Sequence, residues 1–480
     1  MNPPLDLLAV RIVVAGPTRD QSRQSRPIAS VMVVPIAPSV GSRFDPYVER
    51  YATRTRGMAT SEIRALFAVA ARPEIVSLAG GMPHLAALPM DAVAEVVGEL
   101  VRQDGTTALQ YGSGQGHPVL REQICEVMSL EGISAHADEV VVTVGSQQAL
   151  DLVTRVFIDP GDVILAEAPS YVGALGTFSA YQADVVQVPM DNDGLIPDRL
   201  SAAIASVQAS GRTAKFLYTV PNFHNPAGVS LVEGRRAEIL EICAAADLLV
   251  LEDNPYGLLG FDTDPVPALR SRDAGNVVYL GSFSKTFAPG FRVGWALSPF
   301  DVREKLVLAS EAAVLCPPSF SQLAVSRYLA TQPWQQQIKV YQELYRERRD
   351  ALLEALADYM PAGTSWTTPA GGFYVWLTLP PGLDAKAMLP RAITGRVAYV
   401  PGTAFYANGY GTSCLRLSYC FPTPDQLREG VRRLAEVVAV ELELRHTFGA
   451  VAPTQSQAGL GGSPTSTPAT GFVSAGDGDE

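Results

Sequence analysis

Between residues 139 and 297 the chain alternates short apolar runs with segments of helical periodicity. One helical segment is SQQALDLVTRVF, in which Ala149, Leu152, Val153 and Val156 recur at helical spacing, and another is GRRAEILEICAAA. Strands this apolar, separated by helices, are typical of a mainly parallel sheet that helices cover on both faces. The apolar runs are EVVVTVG, DVILAEAPSY, TAKFLYTVPN, DLLVLEDNPYG, NVVYLGSFSK and RVGWALS.

The rest of the chain predicts a second, smaller domain of α+β type. After Ser310 the sequence is helix-rich to about Tyr359, and it then contains the short strands GGFYVWLTL and CLRLSY. The tail is rich in Gly, Ser, Thr and Pro, and it cannot bury enough apolar surface to offset its chain entropy. We predict five segments: a disordered extension (1–45), an N-terminal part of the small domain (46–90), a large domain that carries the parallel sheet (91–310), the C-terminal small domain (311–450) and a disordered tail (451–480).

Composition excludes several classes of function. The 480 residues include 37 basic and 49 acidic side chains, a net charge of −12 that argues against nucleic acid as a partner. The five cysteines form no CxxC pair, which favours a reducing, cytoplasmic location. There is no HExxH pattern, so we expect no metal site. No uninterrupted apolar run is long enough for a membrane span, and we expect no membrane association.

Chemically reactive residues follow the ends of the predicted strands. In such sheets ligands bind beyond the carboxyl ends of the strands. Lys285 follows the fifth strand, Asp253 and Tyr256 end the fourth, Asn225 follows the third, and Ser146 opens the helix after the first. Each has an ordinary alternative: a solvated lysine in a loop, a turn at Asn225, an N-cap serine at the helix start.

Together these residues meet the needs of pyridoxal phosphate. A lysine amine can form a Schiff base with its aldehyde, and a carboxylate keeps its pyridine nitrogen protonated. A phenol and an amide can donate to its ring oxygen. Its phosphate suits a helix N-terminus flanked by Ser282, Ser284 and Arg292. The sequence therefore predicts a cofactor site that is centred on Lys285.

The motifs NPAG, EDNPYG and SFSKTFAPGFRVGW identify a family. With them the chain resembles pyridoxal-phosphate-dependent aminotransferases of fold type I, class I/II, over roughly residues 61–440. Within that family it is most similar to the branch of 2-aminoadipate and kynurenine aminotransferases. The resemblance implies a large domain with a mainly parallel seven-stranded sheet sandwiched by helices, and a smaller α+β domain.

The resemblance also implies a role for each matching residue. Lys285 would form the Schiff base and move the proton, and Asp253 would pair with the pyridinium. Tyr171 would stack on the ring, although core packing is its ordinary alternative. The residues that match cofactor contacts are Ser146, Gln147, Tyr171, Asn225, Asp253, Tyr256, Ser282, Ser284, Lys285 and Arg292. Tyr111 matches a tyrosine that reaches the phosphate of a neighbouring subunit, which implies a homodimer with shared sites.

Substrate contacts are implied at four positions. Arg416 would grip the substrate α-carboxylate, because its planar fork suits a bidentate contact, and a strand-edge surface arginine is the alternative. Asn225 would assist it, and Gly81 lies in the GG-P turn that lines the pocket. Arg64 falls where some members carry an arginine for an acidic substrate side chain, with a surface helix arginine as the alternative.

The implied activity is a ping-pong transamination from an L-amino acid to a 2-oxo acid. Other fold type I reactions remain alternatives, namely decarboxylation, C–S lysis and cyclisation, because a fold does not fix a function. A regulator with an aminotransferase-like domain is the alternative from another class. It would require a DNA-binding module, and the residues before Ser61 carry no pair of helical patterns of that kind.

Overall fold

The computed structural model describes residues 45, 47–57, 72–261 and 265–449. These residues belong to two compact units, within Met1–Tyr51 and Ala52–Glu480. In the first unit a 3-10 turn covers Val48–Arg50, and the Tyr47 N–H donates to Asp45 Oδ1 at 2.9 Å. Every element named below belongs to the second unit.

Three sequence predictions fall outside these residues. The extension (1–45, apart from Asp45), the tail (451–480) and Arg64 lie in parts of the chain that the structure does not describe. The boundaries at residues 90 and 310 between a small and a large domain stay predictions.

A large sheet organises the second unit. Its strands are β2 (Val140–Val144), β3 (Val163–Ala168), β4 (Asp184–Asp191), β5 (Gly194–Leu195), β6 (Ala214–Thr219), β7 (Leu249–Asp253), β8 (Val277–Ser282) and β9 (Val293–Leu297). They lie in the order β2-β9-β8-β7-β6-β3-β4-β5. The pairs β8-β7, β7-β6, β6-β3 and β3-β4 are parallel, and β9 is antiparallel to both of its neighbours. The fold class is confirmed: seven strands form the mainly parallel sheet, and the two-residue β5 extends its edge as a hairpin.

Helices cover both faces of this sheet because its strands are apolar on both faces. Every residue of β8 is buried, and successive residues of β3 belong to different cores, Ile164 on one face and Leu165 on the other. The surrounding helices are α1 (Met90–Ala108), α2 (Pro118–Ser129), α3 (Ser146–Phe157), α4 (Val172–Ala180), α5 (Pro197–Ala209), α6 (Glu233–Ala245), α7 (Phe300–Val314) and α8 (Ser319–Thr331). Helices α3, α4 and α7 pack on one face, and α2, α5 and α6 on the other.

A second, antiparallel sheet has the order β10-β11-β14-β13. The elements of this region are β1 (Val76–Ser77), α9 (Trp334–Tyr359), β10 (Ser365–Trp366), β11 (Tyr374–Thr378), α10 (Ala385–Thr394), β12 (Val397–Ala398), β13 (Val400–Pro401), β14 (Cys414–Ser418) and α11 (Pro424–Phe448). Helices α9, α10 and α11 bury their apolar faces against this sheet, and β1 pairs with β12. The smaller α+β layer predicted from the sequence is therefore present.

The topology brings several strand ends to one edge. Strands β2, β3, β6, β7 and β8 run in the same direction, so their carboxyl ends all lie at the same edge of the large sheet. Arg416 is the third residue of β14, which belongs to the second sheet. None of the helices in the described ranges is both long and apolar enough to span a membrane.

Candidate active site

A cavity of about 350 Å³ opens at this edge. It has walls from both sheets and from the segment that precedes α1. Ten of the residues singled out in the sequence line it: Gly81, Ser146, Tyr171, Asn225, Asp253, Tyr256, Ser282, Ser284, Lys285 and Arg416. Strand polarity explains this convergence, because most of them directly follow the carboxyl end of a parallel strand.

Lys285 extends into the cavity from the turn after β8. Its side chain is half-buried, and Nζ donates to the Gly81 carbonyl oxygen at 2.9 Å. Burial lowers the pKa of this amine to about 8; the positive charges of Arg416 and Arg292 add to the effect, while Cys420 and Asp253 oppose it. The Lys285 amine is therefore deprotonated far more readily than an exposed lysine, as a nucleophile or base requires.

Asp253 ends β7 on the cavity side. Its Oδ2 accepts a hydrogen bond from the Tyr218 hydroxyl at 2.8 Å, and its buried Oδ1 has no hydrogen-bond partner among the described residues. Burial raises the pKa of this carboxyl to about 6, although the Tyr218 hydrogen bond and the Lys285 charge oppose the shift. A buried carboxylate oxygen without a donor is costly, so this position favours a cationic or N–H-bearing ligand.

Arg416 is 2% exposed and is held from two sides. Its Nη1 donates to Asn225 Oδ1 at 2.9 Å and its Nη2 to the Ala79 carbonyl oxygen at 2.8 Å. The guanidinium lies 4.1 Å from the centroid of the Tyr374 ring, in a cation–π contact. These contacts fix the plane of the guanidinium beside the cavity, and the alternative of a surface arginine is wrong.

Two tyrosines join Arg416 on this wall. The rings of Tyr256 and Tyr374 meet edge to face with centroids 6.1 Å apart, and burial raises the pKa of each hydroxyl. Tyr171 also lines the cavity; its hydroxyl donates to Gln147 Oε1 at 3.3 Å, and burial raises the Tyr171 pKa to about 12. All three phenols are therefore neutral hydrogen-bond donors at physiological pH.

The start of α3 forms the polar end of the cavity. Ser146 is its first residue, preceded by Gly145 with a positive φ of 76°. Arg292 lies beside this turn: its Nη1 donates to Ser284 Oγ at 3.4 Å and its Nη2 to the Val144 carbonyl oxygen at 3.2 Å. A Cβ at position 145 would overlap the Arg292 guanidinium. Free N–H groups, hydroxyls and a guanidinium in one place suit a dianionic phosphate.

Three predicted residues are not brought into the cavity wall. Gln147 and Arg292 lie just outside it, each bonded to a residue that lines it. Tyr111 is 78% exposed and contacts none of the other candidate residues through a hydrogen bond that the structure records. Its predicted contact with a neighbouring subunit stays a prediction.

Tyr374 and Tyr218 are site residues that the sequence reasoning missed. Strand register could have found both. Tyr218 pairs with Leu251, two residues before Asp253 on the same face of the parallel sheet. Tyr374 lies diagonally across from Arg416, since Arg416 pairs directly with Trp376. In both cases the available signal was a residue on the same face of the sheet as a candidate site residue, on the neighbouring strand and two positions away in register.

The donor set of the cavity fits pyridoxal phosphate. It offers a depressed-pKa amine at Lys285, a carboxylate oxygen without a donor at Asp253, neutral phenols, and an anion site at the start of α3. Among the described residues no group of three or more His, Cys, Asp or Glu side chains is arranged to bind a metal ion. The Lys285 amine, whose pKa burial lowers to about 8, is the chemically distinctive group of the site.

Comparison with known proteins decides the family. The family described as aminotransferase class I and II matches residues 73–434, about three quarters of the chain. The chain belongs to the class I and II aminotransferases. Members of this family transfer amino groups with pyridoxal phosphate, and this aminotransferase is a pyridoxal-phosphate-dependent enzyme with the fold type I architecture.

Individual relatives agree with this assignment. The aminotransferase is 40% identical over 400 residues to aromatic-amino-acid aminotransferase 1 of Thermococcus litoralis, covering 83% of this chain and 96% of the relative. It is 37% identical to the 2-aminoadipate transaminase of Thermus thermophilus, covering 79% and 94%. Among solved structures it resembles the Pyrococcus horikoshii kynurenine aminotransferase in complex with PMP, with a TM-score of 0.79, 39% identity, and coverage of 82% and 98%.

Proposed function

We propose that this aminotransferase takes L-amino acids with aromatic side chains as its preferred donors and passes their amino group to a 2-oxo acid. The observation that carries the choice of an α-amino acid is the fixed Arg416 guanidinium, which lines the same cavity as the Lys285 amine. An α-amino acid presents a carboxylate and an amine on one carbon, and these two groups match that pair.

The lining of the cavity supports an aromatic side chain. Beyond Arg416 and Lys285, the wall carries Met82, Val172 and the rings of Tyr171 and Tyr374. Rings and thioethers pack well against an aromatic substrate. Two of the relatives support this preference by name, since one is an aromatic-amino-acid aminotransferase and another a kynurenine aminotransferase. The 2-aminoadipate transaminase marks a second, acidic donor class.

Each residue then has a task. Pyridoxal phosphate, when bound, supplies an aldehyde that links to amines and a ring that withdraws electrons from the carbon beside the linked nitrogen. Lys285 Nζ takes the proton from the substrate Cα and delivers it during amino transfer. Asp253 would hold the ring nitrogen protonated, and Asn225 and Tyr256 would donate to the ring oxygen. The residues proposed to hold the phosphate are Ser146, Gln147, Ser282, Ser284 and Arg292.

A homodimer in the cytoplasm is part of the same proposal. Exposed apolar side chains at Leu109, Tyr111 and Leu315 support a subunit contact. The five cysteines are all unpaired, which supports a reducing compartment. Sedimentation equilibrium measures the assembly, and a concentration-independent monomer would contradict the shared site.

The test of the proposal is the absorbance spectrum of the cofactor-loaded enzyme in single half-reactions. Each donor is added without an acceptor: phenylalanine, tyrosine, kynurenine, 2-aminoadipate, glutamate, leucine and lysine. We expect aromatic donors to convert the bound cofactor to its amino form fastest, and an added 2-oxo acid to restore the starting spectrum.

Two outcomes would contradict it. Equal rates for all donors, or faster rates for acidic ones, would remove the aromatic preference. Loss of carbon dioxide, or of a sulfur leaving group from a suitable donor, without the amino form of the cofactor would favour the decarboxylase or lyase alternative. D-phenylalanine is the matched control, since Arg416 and Lys285 cannot both engage its carboxylate and Cα proton from the same faces.

A further inference from the structure

A chain of buried hydrogen bonds lies behind the cavity wall. Its four members are Arg236 on α6, Asn222 after β6, Asn254 after β7, and Glu131 after α2, and we call this chain the amide relay. Arg236 Nη2 donates to Asn222 Oδ1 (2.5 Å), Asn222 Nδ2 to Asn254 Oδ1 (3.2 Å), and Asn254 Nδ2 to Glu131 Oε1 (2.6 Å). None of the four is more than 4% exposed.

The relay has a single direction. Every donor points from the cation Arg236 towards the carboxylate Glu131. Rotating either amide by half a turn would place donor against donor or acceptor against acceptor, so both orientations are fixed by their neighbours. Aligned hydrogen bonds between two charges polarise one another, and this strengthens each link.

Both ends of the relay are anchored elsewhere in the fold. Arg236 also donates to the carbonyl oxygens of Leu231 and Pro267. Glu131 Oε2 accepts from the Tyr279 hydroxyl of β8 at 2.6 Å. Burial raises the Glu131 pKa to about 7, while the hydrogen bonds from Tyr279 and Asn254 oppose this shift and the nearby Glu252 charge reinforces it.

The middle of the relay joins two loops of the active site. Asn222 is three residues before Asn225, and Asn254 lies between Asp253 and Tyr256. The Asn222–Asn254 hydrogen bond therefore ties the loop that carries Asn225 to the loop that carries Tyr256. Neither amide lines the cavity, so the relay does not contact a ligand there.

Gly257 shows how closely Glu131 approaches the second loop. A Cβ at this position would overlap the Glu131 carboxylate and would come close to the Asn254 amide. Gly257, at the end of EDNPYG, does not have a positive φ, so its backbone conformation does not require glycine. Glycine is needed there because the relay leaves no room for a Cβ.

We propose that Glu131, Asn222 and Asn254 are positioning residues that set the placement of Asn225 and Tyr256 relative to each other. The inference rests on the proposed roles of those two residues at the cofactor ring oxygen. Displacing a hydrogen-bond donor by a fraction of an ångström changes the electronic state of the bound cofactor without removing any contact residue.

The experiment compares Glu131→Gln with Glu252→Gln in the cofactor-loaded enzyme. Both changes remove a buried carboxylate of equal size, but among the described residues Glu252 accepts hydrogen bonds from the backbone N–H groups of Leu269 and Arg270 and from no member of the relay. The Glu252 charge helps to raise the Glu131 pKa, so removing it favours the ionised form of Glu131 and leaves the hydrogen bonds of the relay in place. For Glu131→Gln we expect a shifted pH midpoint of the cofactor's visible absorbance and a loss of about 10- to 100-fold in kcat. For Glu252→Gln we expect lower thermal stability with an unmoved midpoint.

A double-mutant cycle with Asn222→Ala tests transmission through the relay. Glu131 and Asn222 do not bond to each other, since Asn254 lies between them. If the relay acts as one unit, the double variant shows the same midpoint shift and the same fold-loss as the larger single variant. Multiplicative losses, or a Glu252→Gln midpoint that moves as far as that of Glu131→Gln, would overturn the proposal.

A second pair of variants covers the case in which Glu131→Gln does not fold. Gly257→Ala must displace the Glu131 carboxylate, whereas Gly234→Ala on α6 meets no atom within 4 Å. We expect Gly257→Ala to shift the pH midpoint of the cofactor absorbance and Gly234→Ala to leave it unchanged. Equal midpoints in the two variants would contradict the proposal. Tyr256→Phe and Asn225→Ala distinguish the proposed cofactor contacts from the proposed role of the relay. If neither variant shifts the midpoint, the proposed cofactor contacts are wrong. If these two variants shift it but the relay variants do not, the relay proposal is wrong.

Discussion

Asp253 and Glu252 are neighbours on β7, yet their carboxylates face opposite sides of the sheet. Both are buried, and burial raises the pKa of each to about 6. Glu252 accepts from the Leu269 N–H at 2.9 Å and the Arg270 N–H at 2.8 Å, so both of its oxygens are satisfied. Asp253 accepts from one hydroxyl only, and its Oδ1 has no partner within the described residues.

The difference separates a structural carboxylate from a functional one. Away from the cavity, the fold supplies hydrogen-bond partners to both oxygens of Glu252 and to both oxygens of Glu131 in the amide relay. In two residues that line the cavity, Asp253 Oδ1 and Arg416 Nε are buried without a hydrogen-bond partner among the described residues. Open positions on buried charges destabilise the folded chain and become favourable only when a ligand completes them.

The largest expected effect comes from removing the amine that faces Asp253 across the cavity. Lys285→Ala should lower the transamination rate by about a thousandfold or more, because a general base contributes about 10²- to 10⁴-fold. Steady-state assays with an aromatic donor measure it. Lys305→Ala, at an exposed position of α7, is the control. Turnover within tenfold of wild type would reject the role of Lys285.

Arg416→Lys keeps the charge of the cavity-facing group but loses the planar fork. Because a charged hydrogen bond contributes about 1.5–3 kcal/mol, we expect KM for the amino acid to rise roughly 10- to 100-fold. The kcat should fall less. Arg428→Lys, at a half-exposed position of α11, is the matched control. An unchanged KM would mean that the substrate carboxylate binds elsewhere.

Paired substitutions on β7 test whether Asp253 and Glu252 differ in their effect on stability. In cofactor-free protein, Asp253→Asn should raise the free energy of unfolding by about 1–3 kcal/mol at neutral pH, because it removes a buried charge and an amide oxygen can still accept from Tyr218. Glu252→Gln should lower it by about 1–3 kcal/mol, since one backbone N–H then faces an NH₂ group.

The stability of the folded chain should depend on pH through Asp253. The Asp253 pKa of about 6 lies above its ordinary value of 3.8, so the folded state binds the proton more tightly than the unfolded state does. Stability then falls as pH rises through this window. The advantage of Asp253→Asn should therefore be small near pH 4 and should reach its plateau above about pH 6. Urea unfolding at several pH values measures it, and a pH-independent difference would contradict the assignment.

The smallest effect concerns Arg64, which lies outside the described residues. Arg64→Ala should slow the half-reaction with 2-aminoadipate by about tenfold and leave phenylalanine unaffected, because only the acidic side chain can pair with a guanidinium. An equal loss for both donors would place Arg64 outside the substrate pocket. A selective loss would mean that Arg64, like Arg416, has a guanidinium that a substrate carboxylate completes.

The strand ends could be predicted from sequence because their signal is local. An apolar run followed by LEDNPYG or SFSK places a reactive residue at a sheet edge without any knowledge of distant contacts. The strand β4 was missed for the opposite reason: Asp184–Asp191 carries Gln187, Pro189 and acidic ends, and most of it is not buried. A proline inside a run argues against a strand, and here β4 lies next to the edge.

The relay could not be predicted at all from local patterns. Glu131 and Asn254 are 123 positions apart, and neither residue stands out in its own segment. Their contact depends on how α2 packs beneath β7, which only the tertiary fold decides. The same holds for Tyr374, whose neighbour Arg416 lies on another strand and whose role depends on register. Local sequence predicts which residues carry the chemistry, while the packing decides what holds them in place.

Gly257 has a consequence for how such an enzyme can change over time or in a directed-evolution library. The space that a side chain would need at this position is taken by the Glu131 carboxylate. A shorter residue at 131 opens that space, whereas a larger residue at 257 is blocked while Glu131 remains. The two positions are therefore epistatic, and mutational paths through them are order-dependent: libraries that randomise EDNPYG alone will keep returning glycine, and libraries that vary both positions together will not.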